Sequence, residues 1–73
     1  MTVYEKVVTT SKVYLGPATE AFMARQCKFH LRKKPEELLS EDLASLAQWI
    51  EIGAGLVMDK AKATELANKV RVL

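Results

Sequence analysis

The sequence predicts an all-α protein, a three-helix bundle preceded by an extended N-terminal arm, and three observations carry that expectation. Apolar residues recur at helical spacing through the second half of the chain. Two prolines and an Asp or Ser stand where helices start or stop. The β-branched and aromatic residues are concentrated in the first fifteen positions. A chain of 73 residues with 49% apolar and 27% charged residues has the balance of one folded domain and too little material for a second core.

Residues 1–15 contain Val3, Tyr4, Val7, Val8, Thr9, Thr10, Val13 and Tyr14, types that lower helix preference and favour extended chain. A lone strand has no pairing partner, so an arm lying on the helices is expected, with Val13, Tyr14 and Leu15 inward. Pairing with the arm of a second copy is the alternative. The helical domain then occupies residues 16–73. Gly16-Pro17 opens a first helix over 17–33, because proline suits the first helical position. Arg32, Lys33 and Lys34 meet the negative end of its dipole, and Pro35 stops it. A turn over 35–39 hands Leu38 and Leu39 inward. Ser40 is the expected N-cap of a second helix, with Glu41 and Asp42 in its first turn and Leu43, Leu46, Ala47, Ile50, Ala54 and Val57 on its inner face. Gly53 and Gly55 mark a kink or a close approach. Asp59 caps a third helix reaching about Arg71, with Ala63, Leu66, Ala67 and Val70 inward.

The first two helices carry more apolar surface than one core uses. On the first, Ala18, Ala21, Phe22 and Phe29 form one stripe, and Met23, Ala24, Cys27 and Leu31 form another nearly opposite. On the second, Trp49, Ile52 and Leu56 face away from the Leu43/Ile50/Val57 stripe. Either the arm covers the surplus, or a partner does, most simply another copy of the chain. On the second view Phe22, Met23, Cys27, Phe29, Leu31, Trp49, Ile52 and Leu56 are the contact residues, with Trp49 as anchor.

The net charge of +2, eleven basic residues against nine acidic, announces neither nucleic acid nor an anionic membrane. Arg25, Lys28, Arg32, Lys33 and Lys34 nevertheless cluster on a helix followed by a turn and a second helix, the outline of a helix-turn-helix nucleic-acid reader. Glu36, Glu37, Glu41 and Asp42 come directly after, which is what the helix dipoles alone would favour. Nucleic-acid binding through those five cations is therefore the alternative function.

Cys27 and His30 stand three apart, but no second pair completes four metal ligands, and His30 is the only histidine able to activate the thiol. Gly53-Ala-Gly55 lacks the lysine of a phosphate loop. No catalytic residue, metal, cofactor or small-molecule substrate is expected. The lone cysteine, the lack of an apolar run near the roughly 20 residues of a bilayer span, and an opening segment unlike a signal peptide lead to the expectation of a cytoplasmic protein.

Tyr14-Leu15-Gly16-Pro17-Ala18, the helical Glu20 to Gln26, Pro35-Glu-Glu-Leu38, Glu41-Asp-Leu43 and Leu46-Ala-Gln-Trp49 together form a pattern over residues 14–70. It resembles a small helical domain of unknown biochemical role appended to bacterial and archaeal signalling proteins. The resemblance implies an interaction or adaptor role with no catalytic residue to carry over.

Overall fold

The N-terminal segment begins with Thr2, whose side-chain oxygen accepts from the Glu5 N–H at 3.1 Å while the Glu5 carboxylate accepts from the Thr2 N–H at 2.9 Å. This reciprocal pair satisfies two of the donors that a helix start leaves open. In the computed structural model, which describes Met1 to Leu73, it opens α1 (Val3–Leu15). The expected extended arm is thus a helix. Val3, Val7, Val8, Thr9, Thr10 and Val13 each cost about 0.5 kcal/mol relative to alanine in a helix. Burial of Val7 and Val8 returns about 1.5–3 kcal/mol per side chain. Tyr4, Tyr14 and Leu15 add packing against the core. Burial wins over local preference.

Gly16 ends α1 at φ +59° and ψ −135°, its N–H donating to the Lys12 carbonyl. A 3₁₀ turn (Gly16–Ala18) with Pro17 in its first turn leads into α2 (Thr19–Gln26). The buried Thr19 hydroxyl donates back to the Gly16 carbonyl at 2.7 Å, tying the junction. The helix expected to run unbroken over 17–33 changes character after Gln26: Cys27–Leu31 is a π turn, closed by Arg32 in the left-handed region at φ +55°. The N–H groups of Arg32 and Lys33 both reach the Cys27 carbonyl.

Two 3₁₀ turns, Pro35–Glu37 and Ser40–Asp42, connect to α3 (Leu43–Ala54). Leu38 is buried as expected, but Leu39 is 49% exposed. Ser40 is not the cap. The Asp42 carboxylate accepts from the Leu39 N–H at 2.9 Å and from the Lys33 ammonium at 2.7 Å, binding the turn to the end of the π turn. Leu43, Leu46, Ala47, Ile50 and Ala54 form the buried stripe of α3. Val57 falls outside it, 70% exposed, because α3 stops at Ala54 and the periodicity no longer applies. Asp59 caps α4 (Lys60–Arg71) by accepting from the Ala61 N–H, and Ala63, Leu66, Ala67 and Val70 are all buried.

The molecule therefore has four α-helices in place of three, with no strand. The most extensive contact is between α3 and α4, and α1 packs on α4 and α2. The Thr64 hydroxyl adds a bond to the Glu51 carboxylate at 2.9 Å, and Tyr14 donates to the Glu65 carboxylate. A radius of gyration of 10.7 Å matches the roughly 11 Å of a folded chain this long, which leaves nothing trailing from the body. No helix is long and apolar enough to cross a membrane.

Candidate interaction surfaces

The fold sorts the surplus apolar residues into covered and uncovered. Met23 and Cys27 are fully buried in the core, so they are not available as contact residues. The second helical stripe is covered from within the chain, because the N-terminal segment folds as a helix with its own inward face. Leu31 is half-buried and packs against the core. Trp49 is also half-buried, and one face of its indole is occupied by the His30 imidazole, with ring centroids 3.9 Å apart and planes within 8°. The expected anchor is thus engaged in a stack.

Ile52 and Leu56 remain outside, at 54% and 84% exposure. Phe22, half-buried and packed against the core, borders this surface across the helix pair, where it lies against Gly53: a Cβ built there would stand only 3.0 Å from the end of the Phe22 ring. The glycine is a place of close approach, by a side chain and not a backbone. A shallow recess of about 390 Å³ is bounded by Ala18, Ala21, Phe22, Gly53, Leu56 and Val57, with Arg25 at its margin. A second, of about 400 Å³, is bounded by Ile52, Gly55, Leu56 and Ala63 together with the polar Glu51, Lys60 and Thr64. Leu56 borders both, so the surface is an apolar ridge with a hollow on each side. Val57, expected in the core, belongs to this surface, and its exposure was readable only by knowing where α3 ends.

Phe29, grouped with Phe22 by helical periodicity, is separated from it. It lies two turns further along, inside the π turn. Phe29 is 62% exposed and lies in a different groove, with Lys28, Arg32, Lys33 and Lys34 around it. The Lys28 ammonium sits 5.5 Å from its ring centroid. Of the five expected cations, four are therefore assembled on one groove and Arg25 stands apart at the apolar recess.

Burial pushes the Cys27 thiol above its ordinary value, with the Asp42 carboxylate adding to the shift, so the neutral thiol is favoured. None of the surface recesses is lined by Cys27 or His30. No three His, Cys, Asp or Glu side chains converge as metal ligands would. Comparison with protein-family models, curated proteins and solved structures returns no match to the chain.

Proposed function

We propose that this protein is a non-catalytic interaction module that self-associates through the apolar ridge formed by Phe22, Ile52, Leu56 and Val57. The observation that carries the reading is Leu56: a large aliphatic side chain, 84% exposed, between an apolar hollow and one of mixed lining. A ridge flanked by hollows is the shape a second copy can meet with the same surface, each ridge entering the other's recess about a two-fold axis. The size of the chain favours that occupant too, since a domain this small gains from extending its limited core across an interface. The resemblance to helical accessory domains of signalling proteins agrees with an adaptor role.

Sedimentation equilibrium tests it. The chain should form a dimer in the micromolar range, and Leu56→Asp or Ile52→Asp should weaken it at least about tenfold while far-UV circular dichroism stays unchanged. A monomer at several hundred micromolar would remove self-association.

A further inference from the structure

The groove beside the π turn is chemically unlike the apolar ridge, and nothing in the proposed self-association uses it. It is an open groove of about 710 Å³ lined by Lys28, Phe29, Arg32, Lys33 and Lys34, with Glu37 as the one carboxylate. The Lys33 ammonium is already held by Asp42, and that pair is the only salt bridge in the molecule. Glu37 is engaged as well, accepting from the Lys34 N–H at 2.9 Å. Lys28, Arg32 and Lys34 are left with no carboxylate partner around one exposed aromatic ring.

Two backbone irregularities build this arrangement. Phe29 lies within the π turn and lines this groove, whereas Phe22, two turns earlier, lines the apolar recess, and Arg32, the only non-glycine residue at positive φ, closes the turn in the groove wall. A π turn is rare overall and frequent at functional sites, while the left-handed Arg32 is the ordinary way for such a segment to end. Since the N–H groups of Arg32 and Lys33 are spent on the Cys27 carbonyl, an anion here must be met by side chains.

We propose that this groove binds a nucleotide, its base against the face of the Phe29 ring that the Lys28 ammonium leaves open and its phosphates on Lys28, Arg32 and Lys34. The volume lies within the range of small-ligand sites. A positively charged groove with an exposed aromatic ring is the arrangement that holds unstacked bases by their faces and the backbone by its charge. The ring requires a base free to stack, so the ligand is a free nucleotide or one in a single strand, not a paired duplex.

The test is fluorescence anisotropy of a labelled ten-nucleotide oligothymidylate titrated with the full chain. A saturable rise at low salt is expected, weakening about twentyfold between about 50 and 200 mM salt as three phosphate contacts on a single strand require. Lys28→Glu or Lys34→Glu should each flatten the logarithmic salt slope by about 0.7. Phe29→Ala, at an exposed position, should weaken binding at every salt concentration without changing that slope. ATP as competitor separates the sources: displacement of the strand identifies a free nucleotide as sufficient, and failure to displace identifies the strand. Leu56→Asp should bind the strand as the unaltered chain does, which keeps this outcome distinct from dimerisation. No rise at low salt overturns the proposal. So does binding that Phe29→Ala leaves intact, or displacement by polyglutamate as readily as by unlabelled strand, because either marks a collector of polyanions only.

Discussion

Ser11 carries a hydroxyl that is fully buried on α1 and has no hydrogen-bond partner. An unmet polar group inside a protein costs about 1–3 kcal/mol, and alanine is the better helix former. Ser11→Ala should therefore stabilise the fold by about 1 kcal/mol and raise the melting temperature by several degrees; a fall in thermal unfolding would show that the hydroxyl is bonded. Gly16 presents the opposite case. Nothing lies within 4 Å of where its Cβ would be, so a side chain has room, but φ +59° with ψ −135° is a region open almost only to glycine. Gly16→Ala should cost about 1–3 kcal/mol through the backbone alone. Denaturant unfolding would read it as a lower midpoint.

Among the elements, the turn between the π segment and α3 depends on one carboxylate. Hydrogen bonding from Lys33, then from the Leu39 N–H, holds the Asp42 carboxyl below the usual aspartate value of 3.8. A folded value below the unfolded one means that the native state favours the ionised form. The stabilisation is complete above the unfolded value and is lost as pH falls through the lower folded value. Asp42→Asn keeps an acceptor but removes the charge, so it should melt lower than the parent at pH 7, with the gap closing below about pH 4. Glu5, through its bond from the Thr2 N–H, and Glu65, through its bond from Tyr14, are lowered in the same direction and act in the same acid window. How far each element was legible in the sequence depends on how it is stabilised. Helix α4 was legible in full, since its Asp59 cap and its four buried positions obey simple periodicity. Helix α1 was not, because its β-branched residues argue locally for strand while its stability comes from contacts with α2 and α4. The Thr2-x-x-Glu5 capping pair was the overlooked signal. The π turn leaves no trace in residue types, so helical periodicity carries an unbroken helix past Gln26.

At the scale of the molecule, a chain without a disulfide closes its core by wrapping α1 over α2 and α4 and leaves two unlike surfaces, one apolar and one cationic. The ridge residues were legible in part: Ile52, Leu56 and Phe22 stand out in the sequence, whereas Met23 and Cys27 could be assigned to the interior only once α1 was known to be a helix. Because the two surfaces share no lining residue, charge reversal at Lys28 should leave the sedimentation of the chain unaltered. A Lys28→Glu protein that failed to dimerise would mean that the surfaces are one.

The contact between His30 and Trp49 has a practical bearing on all of these measurements. The chain has a single tryptophan, and its indole lies flat on an imidazole that belongs to the same π turn as Phe29. Its emission is an intrinsic optical gauge of that turn: whatever loosens the stack alters intensity and wavelength together, with no label attached.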